Sequence, residues 1–215
     1  MDGSCYPRLL EHRLKNRFPQ RQIQVVNAGV AGYSSYQGSV FLQTQGSRFH
    51  PSIVLFLFGA NDNWTSRTNL RDIERRAPAS NRLRWLLRKT PFAVVQCLLF
   101  LSIDWEGEGE GKRVEINEFR ANLHAVHNWC NQNNSKLILL TYPIKDQDCD
   151  VMDYNHELLQ YASNEHLHFI DINREIRNMG DSGYLDDLHP SRLGHKKIAE
   201  LIGALIEKDR EYFGL

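Results

Sequence analysis

The sequence predicts an α/β fold in three layers, a mostly parallel sheet covered on both faces by helices. Short apolar runs alternate along the chain with amphipathic segments at helical spacing, as strand–helix units of a parallel sheet do. Ser52 to Gly59 is nearly continuous in apolar side chains (Ile53, Val54, Leu55, Phe56, Leu57, Phe58), the expectation for a strand buried on both faces. A chain of 215 residues, 41% of them hydrophobic, suits one globular domain with a single sizeable core.

The elements follow in order. Tyr6 to Phe18 places Leu9, Leu10, Leu14 and Phe18 on one helical face and is closed by Pro19. Ile23 to Val26 reads as a short strand that enters the turn Asn27-Ala28-Gly29-Val30-Ala31-Gly32. A helix from about Ser35 to Gln45 precedes the apolar strand. Ile116, Phe119, Leu123, Val126 and Cys130 mark another helix, which leads into a buried strand at Lys136 to Thr141. Tyr154 to Ala162 is helical and His168 to Ile172 is a strand. The last helix opens after Pro190, with Ser191 as N-cap and Ile198, Leu201, Ile202 and Leu205 at helical spacing. No internal repeat is visible.

Residues 64–114 break the rhythm and read as an inserted helical segment within one domain, 1–215. The insert holds a basic stretch, then Trp85-Leu86-Leu87, Pro91, an apolar run to Ile103 and the linker Glu106-Gly107-Glu108-Gly109-Glu110-Gly111. The run is too short to span a bilayer. It reads either as helices that complete the core or as a lid over the site, with residues 85–103 able to touch a membrane surface.

Lysine plus arginine number 26 and aspartate plus glutamate 26, interspersed, so no face is built to track phosphates and nucleic acid is excluded as a partner. Cys5, Cys97, Cys130 and Cys149 are scattered without metal-ligand spacing and read as ordinary thiols. His166 and His168 have no carboxylate or thiol at ligand spacing, so neither a metal nor another cofactor is expected. No signal peptide opens the chain as written.

In open parallel sheets, ligands bind beyond the carboxyl ends of the strands. Three motifs fall there: Gly29 to Gly32, Gly59-Ala60-Asn61-Asp62, and Asp186-Asp187-Leu188-His189-Pro190. Asp186, three residues before His189 at a helix entry, can accept from one imidazole nitrogen and leave the other as a base. The backbone N–H of Gly32 and the side-chain amide of Asn61 are neutral donors suited to an oxyanion. Other residues here have blander readings. Asp187 points to a solvated role, and Asp62 to bracing the Asn61 loop by accepting backbone N–H groups. His195 falls inside the last helix. Tyr33 and Trp64 either line a pocket or fill the core.

These three motifs resemble the second, third and fifth conserved blocks of the SGNH, or GDSL-like, esterases and lipases, and Gly194-His195 fits the same pattern. The resemblance covers essentially the whole chain. It implies a flavodoxin-like sheet and hydrolysis of carboxylic esters through a serine acyl-enzyme. Asp186 and His189 would be triad members, and Gly32 and Asn61 the oxyanion hole. The substrate would be a small-molecule, glycan or lipid acyl ester.

The family's first block, a strand ending in Gly-Asp-Ser, has no counterpart here. Met1-Asp2-Gly3-Ser4 offers Asp-Gly-Ser in altered order, with no apolar strand before it to hold a nucleophile elbow. The expectation is therefore a serine upstream of Met1, which leaves localisation open, and a sheet whose first, central strand is missing between those at Ile23 and Ser52. Two alternatives stand beside hydrolysis. One is an inactive scaffold or binding protein of the same fold. The other is an acyltransferase or deacetylase acting on an envelope polysaccharide.

Overall fold

The computed structural model describes residues 5–65, 71–74, 111–147 and 149–215. Helix α1 (Tyr6–Arg17), α2 (Ser35–Gln45), strand β1 (Ile53–Phe56) and the short α3 (Ala60–Asn63) make up the first part. They are followed by α4 (Ile116–Gln132), β2 (Lys136–Leu140), α5 (Val151–Asn164), β3 (His168–Ile170), α6 (Ile172–Arg177) and α7 (Arg192–Lys208). The expected insert falls largely outside the described residues, and so do Cys97, Ser4 and the apolar run from Trp85 to Ile103.

Among the described residues the sheet has three parallel strands in the order β1-β2-β3. Ile53 pairs with Lys136 and Phe56 with Leu139, while Ile138 pairs with His168. Alternation along the strands sorts side chains onto two faces. Phe56, Leu137 and Leu139 point to a core closed by Phe119, Leu123 and Val126 of α4 and by Tyr154 and Leu158 of α5. Ile138 and Leu140 point the other way, to Leu10 and Leu14 of α1, Ile172 and Ile176 of α6, and Ile198 and Ile202 of α7. The architecture is the expected three-layer α/β/α sandwich.

Three local expectations are corrected. Ile23 to Val26 is not a strand. Its side chains alternate as one would, with Ile23 and Val25 against the α1–α7 core. Yet the Val25 N–H goes to the Glu11 carboxylate at 2.7 Å rather than to a ladder. Apolar alternation puts a segment against a core, but a neighbouring backbone is needed to make it a strand. β1 is likewise less enclosed than expected: Ile53, Val54 and Leu55 are only half-buried, because β1 is the edge strand of the described sheet. The third strand ends early, at Ile170, because Asp171 caps α6 by accepting from the Arg174 N–H at 3.1 Å.

Candidate active site

The loop that carries Gly32 is a tight turn. Tyr33 N–H donates to the Val30 carbonyl at 3.1 Å, and Gly32 has φ +79°, as the third residue of a type II turn requires. A Cβ on Gly32 would meet nothing within 4 Å, so the demand for glycine here is conformational, not steric. Ser34 then caps α2, with Gln37 completing a capping box.

Asn61 lies in α3, just beyond β1. Its side-chain amide donates to the Tyr33 carbonyl at 3.0 Å, so the two expected donor loops touch directly. An amide has two N–H groups, and the one spent on Tyr33 fixes the plane in which the other points.

Beneath them lies a buried polar knot. The Asp62 carboxylate accepts from the Ser35 N–H at 2.9 Å, the Gly59 N–H at 3.1 Å and the Ser35 hydroxyl. Asn122 of α4 donates to the same hydroxyl at 2.9 Å. Burial pushes the Asp62 carboxyl up to about 6, against those hydrogen bonds and the nearby charge of Arg113. Asp62 braces the loop by accepting backbone N–H groups, as its position suggested.

The third loop is local and open. Both Asp186 carboxylate oxygens lie 2.9 Å from His189 Nδ1. Asp186 Oδ1 also accepts from the N–H groups of Leu188 at 2.9 Å and His189 at 2.8 Å. The Leu188 N–H first, then the His189 ring, hold the Asp186 carboxyl below the usual carboxylate range. The side chains are 64% exposed for His189 and 55% for Asp186, which leaves the far edge of the imidazole to solvent. Ser191 fastens the turn to α7 by accepting from the Gly194 N–H at 3.1 Å and donating to the Ser182 carbonyl at 2.5 Å. Gly194 is a close approach: a Cβ there would lie 2.3 Å from the Gly183 carbonyl oxygen. Asp187 contributes its carbonyl, which accepts from the Lys145 N–H at 3.0 Å.

A small apolar cluster joins the open turn to the buried knot. Ala60, beside Asn61, and Leu188, beside His189, pack with Ile144, Val151 and the half-buried Tyr142. Burial raises the Tyr142 phenol, and Asp186 raises it further. Trp64 is exposed and Tyr33 half-buried. His195 stacks on Tyr6, and its buried Nδ1 has no partner among the described residues. Among the described residues, no three His, Cys, Asp or Glu side chains are grouped to hold a metal.

Sequence reasoning missed Arg113, Asp72, Ser35 and Asn122. Asn122 could have been found, because it falls three residues after Phe119 on the apolar face of α4, where a polar side chain needs a partner. Arg113 and Asp72 lie in polar, unpatterned stretches and gave no signal.

The fold is thus a three-layer α/β sandwich with a carboxylate-held histidine beyond its strand ends. The chain belongs to the GDSL-like lipase/acylhydrolase family, which it matches over residues 2–197. Curated sequences yield no match. Solved structures yield several of the same fold. An acetyl xylan esterase is 17% identical, with 94% of this chain and 91% of that one covered at a TM-score of 0.65. An acetylxylan esterase from Geobacillus stearothermophilus is 18% identical over 98% of this chain and 81% of its own, at 0.62. A lipase/acylhydrolase from Enterococcus faecalis is 18% identical over 93% and 85%, at 0.59.

Proposed function

We propose that this chain hydrolyses carboxylic esters by the Ser-His-Asp route. Asp186 orients His189 through Nδ1, and Nε2 takes the proton of a serine hydroxyl that lies outside the described residues. The serine oxygen attacks the acyl carbon, and the tetrahedral oxyanion is held by the Gly32 N–H and the second N–H of Asn61. His189 then returns its proton to the leaving alkoxide, and a water repeats the cycle on the acyl-enzyme. One observation carries the reading: the Asp186 carboxylate accepts two backbone N–H groups and grips Nδ1, fixing the tautomer a general base requires. Packing does not call for such a pair on an exposed turn.

The test is turnover of a p-nitrophenyl acetate series together with labelling by a fluorophosphonate. Turnover with one labelled serine supports the reading. No turnover and no label would leave a scaffold of the same fold.

A second reading concerns the acceptor. The 64% exposure of the His189 side chain suits a short acyl group on a bulky alcohol better than a long chain needing an enclosed tunnel. Two fold neighbours are acetyl xylan esterases by name. We therefore favour acetyl esters of glycans, checked by acetate release from acetylated xylan against release of fatty acid from a triglyceride.

A further inference from the structure

We infer that Arg113 is a positioning residue for the Gly32 loop, and that Asp72 holds it in place. The inference rests on the oxyanion role proposed for Gly32. Arg113 is tied by its main chain to the Asn61 side and by its side chain to the Gly32 side. Its N–H donates to the Trp64 carbonyl at 2.9 Å, next to an antiparallel bridge between Thr65 and Lys112. The following residue, Val114, donates to the Asp62 carbonyl at 3.2 Å. From that base the guanidinium crosses over. Nη1 donates to the Gly32 carbonyl at 2.8 Å and Nη2 to Gln37 Oε1 at 2.9 Å.

Asp72 sets the fork. Its buried carboxylate accepts from Arg113 Nη2 at 2.9 Å and from the Ser34 hydroxyl at 2.6 Å, and its own N–H donates to the Arg113 carbonyl at 2.9 Å. One planar cation thus grips the Gly32 carbonyl, the capping-box glutamine of α2 and a buried carboxylate. Lysine, with a single point of charge, cannot reproduce that geometry. Asn61 holds the Tyr33 carbonyl and Arg113 holds the Gly32 carbonyl, so the two successive peptide planes that follow Gly32 are each anchored by a different side chain. A plane that is free to rock would carry the Gly32 turn away from the oxyanion.

The experiment compares Arg113→Ala and Arg113→Lys with the unaltered protein on a small acetyl ester. The expected result for Arg113→Ala is a kcat about 100-fold lower with KM within about threefold, since misplacing a reacting group costs turnover more than binding. Methylguanidinium should restore part of the loss while methylammonium does not, and Arg113→Lys should stay near the alanine value. A merely structural role would not produce that split or that rescue.

The backbone amide resonances of a 15N-labelled sample give a readout independent of turnover. The Gly32 and Tyr33 resonances should shift in Arg113→Ala while those of β2 stay. If the unaltered protein hydrolyses nothing and Gly32 still shifts, the clamp stands and the hydrolase reading falls. If Arg113→Ala is as active as the unaltered protein, or the Gly32 resonance does not move, the clamp is wrong.

Discussion

The two halves of the candidate site are built in opposite ways. The Asp186–His189 turn is made from residues three apart and lies open to solvent. The Gly32–Asn61 half is assembled from residues 27, 28 and 87 positions apart, and although Gly32 is exposed and Asn61 half-buried it rests on the buried polar groups of Ser35, Asp62 and Asn122. The difference separates what each half is for. An exposed pair contributes little to stability, since charges in water gain and lose almost equally. A buried knot is a structural commitment, because each hydrogen bond lost inside leaves a group that water cannot reach. Replacing the exposed His189 ring should therefore cost activity alone, and substitutions in the second half should cost stability as well.

The largest effect expected is at His189. His189→Ala should lower kcat by about 10,000-fold or more, as loss of a triad base does. Its melting temperature should stay near that of the unaltered protein, since the ring is exposed. A variant that keeps turnover would remove the base, and one that melts early would erase the contrast between the halves. Asn61→Ala comes next, at roughly 100- to 1000-fold in turnover. That variant also breaks the bond to the Tyr33 carbonyl, so a modest fall in melting temperature should accompany it. Normal turnover would take Asn61 out of the mechanism.

The same contrast decides what could be read from sequence. The contact inside the local half is legible in the sequence: Asp186, His189 and the Ser191 cap lie within six residues, and a helix entry fixes their geometry. Helix α2 was expected at Ser35 to Gln45 and found there, because its cap and its length are local properties. Ile23 to Val26 failed for the complementary reason. Alternation reveals which side chains face a core, but no sequence pattern states which backbone lies alongside. Arg113 and Asp72 are 41 residues apart and meet only because the fold brings their segments together. Nothing about either one predicts the other.

Acidity tests the buried half. Asp62 has a folded carboxyl pushed up to about 6 from an ordinary 3.8, so the folded state holds its proton to higher pH than the unfolded chain does. The sign follows from linkage: this group's contribution is most favourable below about pH 4 and is lost as pH rises through about 6. A shift of that size corresponds to about 3 kcal/mol. Asp62→Asn lacks the titration. Urea unfolding at pH 4 and at pH 7 should show the unaltered protein losing up to about 3 kcal/mol relative to the variant between the two. A difference that stays constant, or that changes in the opposite direction, would mean the hydrogen bonds from Ser35 and Gly59 outweigh burial at Asp62.

The smallest effect expected is at Ser191, and it probes the open half where that half touches the fold. The hydroxyl accepts from the Gly194 N–H and donates to the Ser182 carbonyl, joining the cap of α7 to the segment that precedes the His189 turn. Ser191→Ala removes the cap and should cost about 1 kcal/mol. For a domain of this size that is about 2–4 °C in melting temperature. The imidazole should feel it less, because Asp186 grips Nδ1 from within the turn and takes the Leu188 and His189 N–H groups without any help from Ser191. Turnover of the folded variant should therefore fall by no more than about threefold, the size of a small shift in geometry rather than the loss of a group. A melting curve and a saturation curve on one preparation check both numbers. A large fall in kcat with the melting temperature unmoved would show that α7 aims the histidine, and the open half would then be no more self-contained than the buried one.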